Sequence, residues 1–313
     1  MAYVSAPQGE NQVGWKREPA MVLQILKILL LVLAFLVTPA EAGLVKDQLG
    51  REVLVPDEPK RVVSLAPSIT EIVFALGAGH LLQGVTQHCD FPPEAGALPK
   101  VGSYVHLDLE RIVALKPDLC LGTRDGNPRE VAEKLGALNI PVYAVNPRDL
   151  QTVMSTLIEI GRLLHAEAQA EVLVAKMRGR IEGVKARVAT TQVRPKIFFQ
   201  IGIVPIVSLG TNTCIGELIT TAGGHNLAAG PTPYPRFSKE QVVALEPEVI
   251  IITSMTRGQD FKPVRDDWYR WSNLPAVRNH RIHIVESDIF DRPSPRLVEG
   301  LELLARLIHP ELW

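Results

Sequence analysis

From Arg61 onward the chain alternates short apolar runs with stretches of helical period. Val62-Val-Ser-Leu65, Leu119-Cys-Leu121 and Val142-Tyr-Ala-Val145 read as strands, and helices are expected from about Ile69 and from Arg129. The same grammar resumes after Pro195, with strands at Lys196-Ile-Phe-Phe-Gln-Ile201, Ile206-Val-Ser-Leu209, Val249-Ile-Ile-Ile-Thr253 and Ile282-His-Ile-Val285. Strands that alternate with helical patterns build βαβ units, whose natural product is a mainly parallel sheet. The pattern therefore predicts an α/β fold of two Rossmann-like lobes with mainly parallel sheets.

Between the halves, residues 149–190 carry two helical stripes: Val153, Leu157, Ile160 and Leu164, then Leu173, Met177, Ile181, Val184 and Val188. The roughly 24 residues after His165 alone would make a rod of about 36 Å at 1.5 Å per residue. This predicts a long rigid α-helix joining an N-terminal lobe, 43–148, to a C-terminal lobe, 191–313. A helix packed along one lobe is the competing reading of the same stripe.

The halves repeat one another. Leu109-Glu-Arg-Ile-Val-Ala-Leu-Lys-Pro-Asp118 corresponds to Lys239-Glu-Gln-Val-Val-Ala-Leu-Glu-Pro-Glu248 at a constant offset of 130. Ser68-Ile-Thr-Glu-Ile72 likewise corresponds to Cys214-Ile-Gly-Glu-Leu218, at its own offset of 146, and both are followed by glycines, Gly77-Ala-Gly79 and Gly223-Gly224. Two matches in the same order predict lobes built on one plan, with a ligand cleft between them.

The 313 residues suffice for two domains, and the net charge of -1 excludes a bulk field that would recruit nucleic acid. Residues 21–42 have the order of a secretory signal peptide: Lys27, the apolar run Ile28–Val37, and an Ala40-Glu41-Ala42 exit. Cleavage there would start the mature, periplasmic chain at Gly43. The run is short for a membrane span, which needs roughly 20 apolar residues. Residues 1–20 read as an unstructured extension or a start assigned too early, with Met21 the alternative initiator. The three cysteines, Cys89, Cys120 and Cys214, cannot all pair with one another, and none forms a Cys-x-x-Cys motif. Cys120 interrupts an apolar run and is expected to be a buried small hydrophobe.

No phosphate-binding, nucleophile-elbow or zinc-protease motif is present, and the eight histidines are scattered. No catalytic residue and no resident cofactor or metal is therefore assigned, and the expected activity is binding. The repeat singles out Glu71 and Glu217, each near the start of a helix. The helix dipole accounts for either alone. Their equivalence suggests one exposed carboxylate per lobe, offered to basic residues of a two-fold partner. Ligands of open α/β sheets sit outside the carboxyl ends of the strands. That rule selects the loops Gly102-Ser-Tyr104, Thr123-Arg-Asp-Gly-Asn127, Gln200-Ile-Gly202, Pro233-Tyr-Pro235 and Ser287-Asp-Ile-Phe-Asp-Arg292. Tyr104 and Tyr234 each precede a repeated segment by five residues and could flank a flat ligand from opposite lobes. Arg292 and Arg296, four apart, have local pairing with Asp288 or Asp291 as their plainer role.

At these residues the chain resembles the cobalamin-binding periplasmic proteins of vitamin B12 importers, over roughly Arg61 to Ile308. The blocks that carry the likeness are Leu109–Leu119, Arg124-Asp-Gly-Asn127, Tyr234-Pro-Arg-Phe-Ser238 and Ser287-Asp-Ile-Phe-Asp-Arg-Pro-Ser-Pro-Arg296. The resemblance implies capture of cobalamin or another corrinoid by a monomer, and delivery to the transmembrane subunits of an ABC importer. It implies docking of Glu71 and Glu217 onto those subunits. It places Tyr104, Arg124, Ile201, Tyr234, Asp288 and Arg292 around the ligand. Thr123, Ile201 and Ile289 stand where relatives can carry aromatics, so haem or a ferric siderophore is the alternative ligand, and a secreted chelatase-like enzyme the reading from another class.

Overall fold

The computed structural model describes residues 1–3, 42–253 and 261–313. The extension at 1–20 and the leader at 21–42 therefore lie, apart from residues 1–3 and Ala42, outside the described residues. No helix of the described residues is long and apolar enough to cross a membrane.

A hairpin that the apolar pattern did not announce comes first: β1 (Ala42–Lys46) pairs antiparallel with β2 (Glu52–Pro56). The N-terminal lobe follows as β3 (Val62–Ser64), α1 (Pro67–Ala75), β4 (Leu82–Gly84), α2 (Leu109–Ala114), β5 (Leu119–Thr123), α3 (Arg129–Ala137) and β6 (Val142–Val145). Its four strands are all parallel in the order β4-β3-β5-β6. Next come α4 (Leu150–Leu163) and α5 (Glu167–Val188). The C-terminal lobe contains β7 (Lys196–Gln200), β8 (Ile206–Val207), α6 (Cys214–Thr221), β9 (His225–Asn226), β10 (Arg236–Phe237), α7 (Lys239–Ala244), β11 (Val249–Ile252), α8 (Lys262–Trp268), α9 (Pro275–Arg278), β12 (Ile282–Ile284), α10 (Asp288–Asp291) and α11 (Leu297–Ile308). Its parallel sheet runs β12-β11-β7-β9. That order is the N-terminal order with each strand replaced by its counterpart.

The repeat extends to details. Asp108 caps α2 by accepting from the Arg111 amide, and Ser238 caps α7 by accepting from the Gln241 amide. Both helices are followed by a residue in the left-handed region, Lys116 (φ 47°) and Glu246 (φ 52°), 130 positions apart. Asp118 then accepts from the amides of Lys60 and Arg61 at the head of β3, as Glu248 accepts from the Lys196 amide at the head of β7. The shared turn and acid thus set where each lobe's first parallel strand begins.

The expected single link resolves into two helices. α4 starts at a capping box in which Asp149 accepts from the Thr152 amide, and it ends at Leu163. His165, with φ 54°, breaks the rod before α5 begins. α4 belongs to the N-terminal lobe, whereas α5 is the bridge, packing on α4 and also on α11 of the C-terminal lobe. Its 22 residues span about 33 Å. The apolar stripe Val174, Met177, Ile181, Val184 and Val188 lies in one continuous core with Ile69, Leu157, Leu218 and Leu301. On the flank, Arg180 donates two parallel bonds of 2.8 Å to Glu302.

The bridge should be held by this core more than by the ion pair. Ile181→Ala, at a site 4% exposed, is expected to lower unfolding stability by about 2–5 kcal/mol. Glu302→Ala breaks a partly exposed pair and should lower it by less than about 1 kcal/mol. Urea denaturation of both variants measures the difference.

Candidate ligand site between the lobes

On the N-terminal side one amide organises the cleft-facing loops. Asn127 accepts from the Thr123 amide through Oδ1 at 2.7 Å and donates through Nδ2 to the carbonyls of Leu65 and Tyr104, both at 2.8 Å. It ties together the ends of β3 and β5 and the loop bearing Tyr104. Gly126, at φ +103°, lies directly under the Tyr104 ring, and a Cβ there would come within 2.3 Å of it. Only glycine permits both the turn and the ring.

On the C-terminal side Gln200 does comparable work. Its Nε2 donates to the Gly202 carbonyl at 2.9 Å, and its Oε1 accepts from the indole of buried Trp268 at 2.8 Å. Ile201 is anchored by its amide to the Val207 carbonyl and packs against the shared core. The Pro233–Pro235 loop is stitched to residues 208–210 by Ser208 N–H to Pro235 and Gly210 N–H to Pro233. This loop presents Tyr234, half exposed, toward the other lobe. The Tyr234 hydroxyl donates to Asp125 Oδ2 at 3.2 Å, a contact across the lobes and 109 residues of chain.

The two tyrosines expected to face one ligand thus share acidic neighbours. Burial raises the Tyr104 hydroxyl above its ordinary value, with Asp125 and Asp291 adding to the shift. Burial pushes Tyr234 up to about 12, followed by Asp125. Both phenols stay neutral at physiological pH and offer flat apolar faces with one polar tip each. Arg124, immediately before Asp125, keeps its side chain exposed, with its amide bonded to the Val145 carbonyl. Of the three positions where relatives can carry aromatics, Thr123 and Ile289 are buried, at 8% and 9% exposure.

The expectation of two exposed carboxylates is corrected. Glu71 is 3% exposed and is the fifth residue of α1, beyond the first turn. It accepts from Arg292 at 2.7 Å, from the Ser294 hydroxyl at 2.5 Å and from Arg296 at 3.4 Å, all on the far lobe. Glu217 is half buried rather than exposed, and it accepts from the Leu150 amide at the head of α4 at 2.6 Å. A carboxylate that has lost its hydration needs such partners, and each glutamate finds them on the opposite lobe.

Arg292, expected beside a ligand's polar groups, is 6% exposed, with its guanidinium engaged elsewhere. Besides Glu71 it donates to the His88 carbonyl and to Asp90, both at 3.0 Å, and it pairs with Asp288 at 3.0 Å. The local pairing read as Arg292's plainer role is therefore present, inside a larger cluster. Arg296 completes it by lying over the Phe91 ring at 4.1 Å. Sequence reasoning missed Asn127, Asp90 and Ser294 as individuals. Asn127 and Ser294 sit inside the blocks it had singled out, and Asp90 follows Cys89.

Among the described residues no group of three or more His, Cys, Asp or Glu could hold a metal ion, and all three cysteines are free. Cys120 is buried, as its position in β5 suggested.

A family model for periplasmic binding proteins matches residues 62–289. A vitamin B12-binding protein of Vibrio parahaemolyticus is 33% identical over 248 residues, 78% of this chain and 88% of that protein. An uncharacterised ABC transporter substrate-binding lipoprotein of Bacillus subtilis is 31% identical over 275 residues, 86% of each chain. Among solved structures, the periplasmic vitamin B12 binding protein of Vibrio cholerae superposes with a TM-score of 0.71 at 28% identity, covering 82% of this chain and 98% of that one. A periplasmic heme-binding protein of Roseiflexus superposes with a TM-score of 0.72 at 26% identity, covering 81% and 99%.

Asp291 gives a pH test of the site. Burial, then repulsion from Asp288, raises its pKa from 3.8 to about 7, and its Oδ2 is buried without a hydrogen-bond partner. The folded chain therefore holds this proton more tightly than the unfolded chain, so the group's contribution to stability falls as pH rises from about 4 to about 7. Asp291→Asn lacks that decline. Its stability relative to the parent should grow across the window by on the order of 2–4 kcal/mol, measured by urea denaturation at pH 4, 5.5 and 7.5; a constant difference would contradict the assignment.

Proposed function

The chain belongs to the family of periplasmic binding proteins, and within it we propose that this member captures cobalamin or a closely related corrinoid between its lobes and hands it to an ABC importer. It does so as a monomer in the periplasm, after loss of a leader that ends at Ala42. The observation that carries the ligand reading is the convergence of Tyr104 and Tyr234, from opposite lobes, on the acidic loop at Asp125. Two neutral aromatic faces suit a flat macrocycle, and carboxylates between them suit a ligand edged with amide donors. The vitamin B12-binding relatives of Vibrio support the same class of ligand.

The hairpin β1–β2 begins where the leader would end, so cleavage after Ala42 leaves the strand pairing from Gly43 to Val55 intact. Binding requires no covalent chemistry from the protein. The phenols stay protonated, and burial raises all three thiols.

The deciding measurement is calorimetric titration of the chain starting at Gly43 with cyanocobalamin. Saturable binding is expected; no heat at roughly 50 μM ligand, where binding would be weaker than about −6 kcal/mol, would overturn the assignment. Tyr234→Ala should weaken binding about tenfold through loss of aromatic contact, and Tyr234→Phe should retain most of it. The heme-binding neighbour motivates a parallel titration with hemin. A Soret shift that saturates there, with no response to cyanocobalamin, would assign the cleft to haem instead.

A further inference from the structure

The two repeat-related glutamates do more than neutralise local charge. Glu71 leaves α1 of the N-terminal lobe and ends on Arg292, Ser294 and Arg296, at the head of α11. Glu217 leaves α6, the counterpart of α1, and ends on the Leu150 amide at the head of α4, the counterpart of α11. Each carboxylate therefore crosses to the start of the corresponding helix of the other lobe. Between the two lies the bridge α5, packed on both α4 and α11.

We infer that Glu71 and Glu217 form a reciprocal pair of inter-lobe fasteners that act as one device, setting how readily the lobes part and hence how long a captured ligand stays. They are positioning residues, acting on the ligand only through the placement of the lobes that carry Tyr104 and Tyr234. The energetic argument is symmetric. Parting the lobes at Glu71 would strand a buried carboxylate and two guanidiniums, which is strongly unfavourable unless water reaches them. Parting them at Glu217 would strand a helix N-terminal amide and a half-buried carboxylate. Because α5 couples α4 to α11, slack at one tie must appear at the other.

The test loosens one tie and reads the other by amide hydrogen exchange on the unliganded protein. In Glu71→Gln, exchange at the Leu150 amide should quicken about tenfold, although the Leu150 amide bonds Glu217 and not Glu71. Amides inside β5 and β7 should keep their rates. In Glu217→Gln the Arg296 amide, which donates to Ser294 Oγ, should respond in the same sense. Unchanged Leu150 protection in a folded Glu71→Gln protein overturns the inference. If that variant unfolds, Ser294→Ala, which removes a single bond to Glu71, decides the matter by the same readout. A second arm rests on the corrinoid reading: cyanocobalamin should leave Glu217→Gln about tenfold faster with its association rate little changed, and an unchanged release rate would overturn the link to ligand residence. If the parent protein does not bind cyanocobalamin at all, the corrinoid reading fails, and the exchange arm still decides the fasteners.

Discussion

The two parallel four-stranded sheets share no ladder of strand hydrogen bonds. What makes them one molecule is the burial of the apolar stripe of α5 between α4 and α11. That stripe runs through a core shared by both lobes, from Ile69 in α1 to Leu301 in α11. Burial of apolar area is non-directional and would tolerate some sliding of one lobe over the other. Directional contacts must therefore fix the angle at which the lobes meet.

The largest group of those contacts is ionic. The cluster around Glu71 places one carboxylate against two guanidiniums while Asp90 and Asp288 hold the outer side of Arg292. Buried charges gain little net stability, because desolvation opposes the Coulomb attraction. Their worth is geometric: a carboxylate accepting from a hydroxyl and two guanidiniums accepts few other arrangements. The apolar bridge supplies cohesion, and the charged cluster supplies register.

Much of this was legible in the residues. The short apolar runs gave three strands of each parallel sheet but not β4 or β9, and Ile206–Val207 pairs antiparallel with β10 outside the parallel sheet, while the matching segments at 109–118 and 239–248 led to caps, left-handed turns and strand-heading acids that agree in detail. The link was legible in extent, though the break at His165 was not, since nothing in the apolar spacing marks a single residue entering the left-handed region. The hairpin at 42–56 escaped because only one face of its alternation, Val53 and Val55, is buried, while Leu44 and Leu54 face solvent. The environment of Glu71 was illegible for a different reason. Its partners lie more than 220 positions away, and a local rule, an acid near a helix start, already explained it. Equivalent positions in a repeat share a backbone, and their side chains answer to whatever the other half brings.

Tyr234 and Asp125 satisfy each other's hydrogen bonds across the lobes. On the proposed reading, a guest between the two tyrosines would exchange that bond for one of its own, and the number of hydrogen bonds would change little on capture. Discrimination would then fall to shape, the guest's outline against two rings, one of which, Tyr104, is already seated on the backbone of Gly126 and cannot sink further to accommodate it.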